Sequence, residues 1–312
     1  MTRGGFVHQA LCYDSDSAFL ATATGFARDG LDAGDRVLAA VSRHNLTLLR
    51  EALGVRSAEV ESVDARDWYD YPSRTLGRYH AYCERQGPGR RVRIIGEPVW
   101  AGRSDFEIRE WARYESVLNV AFAGSAHWIL CPYDTRVLPA DIVRTAARTH
   151  PEHADGTLTG AYTDPGAFYA ECDARRSRSA LAGPDDIPFR RGGSATVRRA
   201  VSAYARRAGM PEQRTRDLVA AVHETVVNVL RHGGGQGVVR LRGDAEYVIC
   251  EVHDDGGHTP VPRPAFPGHL PPERHAPAGH GMWLVRQLAD LVSEDLTPSG
   301  SVVQLCFRRP EA

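Results

Sequence analysis

Through residue 151, short apolar runs alternate with amphipathic stretches. The runs Phe6–Tyr13, Arg36–Val41, Val92–Ile95 and His127–Cys131, with a weaker one at Ala58–Val63, predict strands. The stretches Ser15–Asp29, Asn45–Leu53, Pro72–Gln86, Phe106–Gly124 and Pro139–Arg148 predict helices. Parallel strands need a crossover connection, so strand–helix alternation predicts an α/β domain with a doubly wound, mostly parallel sheet of about five strands. Ligands of such sheets bind beyond the carboxyl ends of the strands, where Asp14, Asp64, Glu97, Trp100, Tyr133 and Asp134 stand.

From about His153 to Gly193 the periodicity fades and Pro165, Pro184, Pro188, Gly192 and Gly193 punctuate the chain around a short helix at Gly166–Arg176. The expected organisation is a first domain over 1–152, a linker over 153–187 and a second domain over 188–312. The basic cluster Arg175, Arg176, Arg178 in the linker reads as a solvated face. The second half predicts helices at Ala195–Gly209, Pro211–Arg231 and Met282–Ser293, and strands at Val238–Arg242, Tyr247–Val252 and Ser301–Arg308. Closely spaced consecutive strands are antiparallel, so this half is expected to be α+β, with helices on one face of a mixed sheet.

Composition narrows the chemistry. Lysine plus arginine number 38 against 39 acids, a net charge of −1 with no long run of one sign, which gives nucleic-acid binding by counterion release no source. All the basic residues are arginine, so Schiff-base chemistry and a P-loop lysine are excluded. The turn Tyr13-Asp14-Ser15-Asp16-Ser17 has no glycine and two acids, and cannot cradle a phosphate. The six cysteines form no Cys-x-x-Cys pair and read as buried thiols. No leader-like apolar segment follows Met1 and no stretch suits a membrane span, so a cytoplasmic protein away from membranes is expected.

In the helix Asp217–Arg231, a 100° step lines up Leu218, Val219, Val222, Val226, Val229 and Leu230, and sets Glu224 and Asn228 together on the other face. Beyond the following strands comes Asp254-Asp255-Gly256, an acid two residues before a glycine. The 21 residues His258–Ala278 then hold seven prolines and no periodicity, the pattern of a lid. Gly279-His280-Gly281-Met282 opens the next helix, as an anion-binding helix N-terminus requires. In this order Glu-x-x-x-Asn, Asp-x-Gly, lid and Gly-x-Gly resemble the boxes of the GHKL (Bergerat) ATP-binding domain of histidine kinases, gyrase and anti-sigma-factor kinases. The helix Ala221-Val222-His223-Glu224-Thr225-Val226-Val227-Asn228, followed by Arg231-His232-Gly233, is most similar to that of the anti-sigma serine kinases.

The resemblance implies ATP and Mg²⁺ as cofactors. It implies that Asn228 ligates the metal, that Asp254 accepts from the adenine amino group with Gly256 letting the ring approach, and that Gly279, His280, Gly281 and Met282 hold the phosphates. Glu224 would orient or deprotonate an incoming hydroxyl. Where relatives often place an arginine beside the second glycine box, this chain has Pro277, Ala278 and His280, and Arg274 is the nearest guanidinium upstream. His223 lies inside the nucleotide helix, and the linker offers no two-helix dimerisation segment, which argues against a histidine kinase that phosphorylates itself.

The first half resembles the MEDS family, the sensory domain first described in methanogens and methylotrophs. The resemblance rests on Phe6-Val7-His8-Gln9-Ala10-Leu11-Cys12-Tyr13, Asp67-Trp68-Tyr69, Gly96-Glu97-Pro98, Tyr114-Glu115, Cys131-Pro132-Tyr133-Asp134 and Arg148-Thr149-His150-Pro151. It implies sensing of an unidentified small-molecule signal. The residues offer a strand-end pocket of Glu97, Trp100, Tyr133 and Asp134, or a metal or thiol sensor of His8, Cys12, Cys131 and His150, or a docking or structural domain. Together the resemblances imply a signal-responsive anti-sigma regulator. It would be an ATP-dependent serine/threonine kinase acting on a STAS-type antagonist, or would sequester a sigma factor, and relatives of the ATP domain commonly form homodimers. An ATP-gated binding module without turnover is the alternative, and a histidine kinase a third reading.

Overall fold

In a computed structural model of the chain, residues 5–174, 186–254, 256, 266–272, 280–297 and 300–310 are described. They fall into two units that divide between Cys172 and Asp173. Among the described residues no helix is long and apolar enough to cross a membrane.

The first unit runs β1 (Val7–Tyr13), α1 (Asp16–Asp32), β2 (Arg36–Val41), α2 (Arg43–Leu53), a 3₁₀ turn (Gly54–Glu59), β3 (Glu61–Asp64), α3 (Ala65–Trp68), α4 (Pro72–Arg85), β4 (Val92–Gly96), α5 (Asp105–Ala121), β5 (Trp128–Asp134), α6 (Ala140–Thr149), β6 (Glu152–His153) and α7 (Pro165–Ala174). Its strands form one sheet in the order β3-β2-β4-β5-β1-β6, parallel at every pairing. Ser15, Ser42 and Ser104 cap α1, α2 and α5 by accepting from backbone amides that would otherwise lack a partner, and Ser104 with Glu107 makes a full capping box. On one face of the sheet, Leu11, Tyr13, Val37, Ala39, Val41, Ile95 and Leu130 pack on Phe19, Ala23, Phe26 and Ala27 of α1 and on Leu49 and Leu53 of α2. Because side chains alternate along a strand, His8, Ala10 and Cys12 of β1 and Cys131 and Tyr133 of β5 look to the other face. The weak strand expected at Ala58–Val63 is displaced to Glu61–Asp64, since the 3₁₀ turn takes up residues 54–59.

The first stretch of the expected linker belongs to this unit. Phe168 and Cys172 of α7 are buried against Ala112 of α5, and Arg148 pairs with Glu171 at 2.8 Å. The cluster Arg175, Arg176, Arg178 and Pro184 lie outside the described residues.

The second unit runs β7 (Ile187–Arg190), α8 (Ser194–Arg207), α9 (Glu212–His232), β8 (Gln236–Gly243), β9 (Tyr247–Asp254), α10 (His280–Leu288), β10 (Leu291–Thr297) and β11 (Gly300–Arg308). The sheet order is β10-β11-β9-β8-β7, and all four pairings are antiparallel where a mixed sheet was expected. Val239, Leu241, Val248, Cys250, Val252, Val303, Leu305 and Phe307 line the face that packs on α8, α9 and α10.

Two strands depart from the sequence reading. The helix expected over Met282–Ser293 stops at Leu288: the Ala289 amide still donates to Val285 O, but the Asp290 amide donates to Cys306 O, 3.0 Å away on β11. The buried Asp290 carboxylate fixes this break, accepting from Arg214 Nη2 and the Arg308 amide, each at 2.6 Å. The other strand, β7, is an edge strand containing Pro188, which the sheet tolerates because only β8 lies beside it.

Candidate functional site

Helix α9 carries the first part of the site. Leu218, Ala221, Val222, Thr225, Val226 and Val229 are buried toward the core, with Val219 and Leu230 partly buried against it. Glu224 and Asn228 are half-buried one turn apart. The N-terminus of α10 is brought to them: a Cβ on Gly281 would lie 3.1 Å from Glu224 Oε2 and 3.4 Å from Asn228 Oδ1. A carboxylate, an amide oxygen and the glycine in the first turn of α10 thus meet at one place. His280 begins α10 exposed, and Met282 packs against the core.

The last turn of α9 meets the end of β9. Asp254 Oδ1 accepts from the backbone amides of Gly234 at 2.8 Å and Gly256 at 3.2 Å. The approach is so close that a Cβ on Gly233 would lie 2.6 Å from Val229 O and 2.7 Å from Asp254 Oδ2, and one on Gly234 2.8 Å from Asp254 Oδ1. Gly234 therefore belongs beside the expected Asp254 and Gly256, and the run Gly233-Gly234-Gly235 was the signal for it. Gly279, and the greater part of the proline-rich stretch with Pro277, Ala278 and Arg274, lie outside the described residues. Within that stretch residues 266–272 are described and are docked on α10. Arg286 Nε donates to Pro267 O at 2.8 Å, and Gly268, at φ +68°, rests on the backbone of Met282 and Trp283. Arg286 is itself buried and paired with Glu294 at 2.8 Å. His223 projects away from the core, its Nδ1 3.4 Å from Arg198 Nη1.

The strand-end residues of the first unit are held by protein partners, and Tyr13 lies beside both Glu97 and Arg136. Glu97 accepts from the Ser42 amide (2.7 Å), Asn45 Nδ2 (2.9 Å) and Tyr13 Oη (3.4 Å). Burial pushes its carboxyl up, against these donations. Asp134 pairs with Arg136, which also holds Asp16, and the Arg136 hydrogen bonds draw the Asp134 carboxyl down. Trp100 is buried with its ring 6.2 Å from that of Tyr133.

Three of the four expected sensor residues do converge, but with a different fourth. His8, Cys131 and His150 meet Glu115 of α5, and all four are buried. His8 Nε2 and His150 Nε2 stand 3.5 and 3.4 Å from Glu115 Oε2, and Cys131 Sγ stands 3.5 Å from His8 Nε2 and 3.7 Å from Glu115 Oε2. Cys12 is not among them. It shares a strand face with His8, but four residues of strand rise carry it about 13 Å further along, where it is exposed. Burial pushes both imidazoles down to about 3 and the Glu115 carboxyl up to about 7. Glu115 stood in the sequence within the Tyr114-Glu115 pair, but α5 is buried on nearly every side from Glu107 to Leu118, so no amphipathic period singles it out.

Comparison with known proteins agrees with this division. The family model described as MEDS, the MEthanogen/methylotroph, DcmR Sensory domain, matches residues 7–151. The model described as Histidine kinase-like ATPase domain matches residues 188–307. No curated protein matches the chain. Among solved structures, the RsbU and RsbW domains of Rv1364c from Mycobacterium tuberculosis match with 18% identity over 40% of this chain and 33% of that chain, at a TM-score of 0.28. The chain thus spans about a third of that relative. By its family models, the chain joins a MEDS domain over residues 7–151 to a histidine kinase-like ATPase domain over residues 188–307.

Proposed function

We propose that the chain is a signal-responsive anti-sigma regulator whose second domain binds Mg-ATP and phosphorylates a serine or threonine of a STAS-type antagonist, or sequesters a sigma factor. The observation that supports this reading is the meeting of Gly281 with Glu224 and Asn228, since a Cβ there would fill the space between the start of α10 and the Asn228 amide. The donor set suits the group: Asn228 Oδ1 is a hard oxygen ligand of the kind Mg²⁺ takes, and the N-terminal amides of α10 favour anions. When bound, Mg²⁺ would neutralise charge on the triphosphate.

The chain's own residues would do the rest. Asp254, held by the Gly234 and Gly256 amides, would accept from the adenine amino group, and the glycines let a flat ring come close to backbone. The amides of Gly279 and Gly281 would hold phosphate oxygens, with His280 and Met282 completing that turn. Glu224, one turn from Asn228, would orient an incoming hydroxyl and take its proton at Oε2. The MEDS domain would supply the signal dependence, which requires a ligand with different affinities for two states of the chain.

His280 standing where an arginine is common favours a second reading, an ATP-gated binding module without turnover. Labelled ATP, Mg²⁺ and candidate STAS partners separate the two. Phosphate on a partner, lost in Glu224→Ala while nucleotide still binds, supports the kinase. Binding with no transfer to any partner supports the module, and acid-labile label on the chain itself would point to a histidine kinase.

A further inference from the structure

We propose that His8, Glu115, Cys131 and His150 form a site for one divalent transition-metal ion, zinc foremost, in the interior of the first domain. Four elements deliver the ligands: His8 from β1, Cys131 from the neighbouring β5, Glu115 from α5 and His150 from the end of α6. Zinc bonds of about 2.0–2.2 Å to nitrogen and oxygen and about 2.3 Å to sulfur make tetrahedral edges of about 3.3–3.6 Å between nitrogen and oxygen ligands and about 3.5–3.7 Å to sulfur. Four of the six edges, N–O at 3.5 and 3.4 Å, S–N at 3.5 Å and S–O at 3.7 Å, follow that pattern, and all four ligand atoms lie within 4.8 Å of one another.

The outer hydrogen bonds fix the imidazoles for this role. Asn119 Nδ2 donates to Ser116 O (3.1 Å) and Thr149 O (2.8 Å), which turns its Oδ1 to accept from His8 Nδ1 at 3.1 Å. Ala146 O, able only to accept, takes the Nδ1 proton of His150 at 2.9 Å. Both Nε2 atoms are therefore lone pairs aimed inward, as in metal sites whose histidines are oriented by a second layer of acceptors. His150 Nε2 and Glu115 Oε1 are buried without a hydrogen-bond partner. The imidazole rings lie with centroids only 3.9 Å apart, and Phe6 and Tyr133 flank them.

Two imidazoles, a thiolate and a carboxylate are the donors that zinc and its late first-row neighbours prefer. On binding, Cys131 and any protonated Glu115 release their protons to solvent, and the two anions cancel the charge of the ion. Four protein ligands with no exposed member give a closed site.

The test uses the full chain, stripped by chelator and titrated without nucleotide, first with Co²⁺ and then with Zn²⁺. The expected result is one equivalent of Co²⁺ with a thiolate-to-cobalt charge-transfer band and intense tetrahedral bands, displaced by one equivalent of Zn²⁺. Cys131→Ser should abolish the charge-transfer band, Cys12→Ala should leave it unchanged, and Asn119→Ala should weaken zinc binding roughly 10- to 100-fold. A wild-type chain that is folded by circular dichroism yet takes up no stoichiometric metal, or a charge-transfer band that survives Cys131→Ser, overturns the site. The wild-type titration decides even if Cys131→Ser fails to fold.

Discussion

Gly281 rests so closely on Glu224 that a side-chain carbon at 281 would lie 3.1 Å from the carboxylate Oε2. The contact is with the movable end of a side chain, so Gly281→Ala should fold, but its methyl group would occupy the space between α9 and the start of α10. ATP affinity should fall by about 1–2 kcal/mol, roughly 5- to 30-fold, with the thermal midpoint little changed. Titration with ATP and a melting curve of the same preparation check both halves of this expectation.

Position 233 behaves differently, because its nearest neighbour is backbone. A Cβ there would lie 2.6 Å from Val229 O, so Gly233→Ala must shift the last turn of α9 or the Asp254 carboxylate. We expect the second domain to lose about 1–3 kcal/mol in denaturant unfolding, and ATP affinity to fall with it.

Arg286 is enclosed by protein: it donates to Pro267 O and Val292 O and pairs with Glu294. Removing one partner of a buried pair leaves the other charge uncompensated, so Arg286→Ala should cost about 3–5 kcal/mol, while a double replacement by apolar residues of similar volume should cost much less. Comparison of the two unfolding curves tests this.

Glu97 gives a pH dependence with a definite sign. Its carboxyl is raised above the ordinary 4.5, chiefly by burial, so the folded chain holds this proton where the unfolded chain has released it. The contribution is full below 4.5 and is lost as pH rises through the folded-state value. Glu97→Gln keeps an acceptor for Ser42 and Asn45 but cannot ionise. Its stability relative to wild type should therefore increase with pH across that window, as followed by thermal melts at stepped pH.

The sequence was most legible where one local pattern decides the structure. Strands β1, β2, β4 and β5 announce themselves as apolar runs because a parallel sheet buries both faces, and the Glu224–Asn228 pair was visible as a polar pair on the face of α9 opposite its apolar stripe. It failed where distant partners decide. β10 continues the helical spacing of α10, and only Asp290, clamped by Arg214 and the Arg308 amide, turns the chain into a strand. β7 is four residues long with a proline, too short to read against its surroundings. Cys12 and Glu115 exchange places in the buried cluster. Four residues of strand rise, about 13 Å, already set Cys12 beyond the reach of His8 in the predicted strand, whereas a helix buried all round could not show which of its acids reaches the cluster.

Binding of Mg-ATP by the wild-type chain and by Asn228→Ala tests the central claim most directly, with titrations in Mg²⁺ and in chelator. The account predicts that wild type binds ATP tightly only with Mg²⁺, and that Asn228→Ala loses this binding while its melting curve stays cooperative. Equal affinity in the two proteins, or no nucleotide binding by folded wild type, would contradict it.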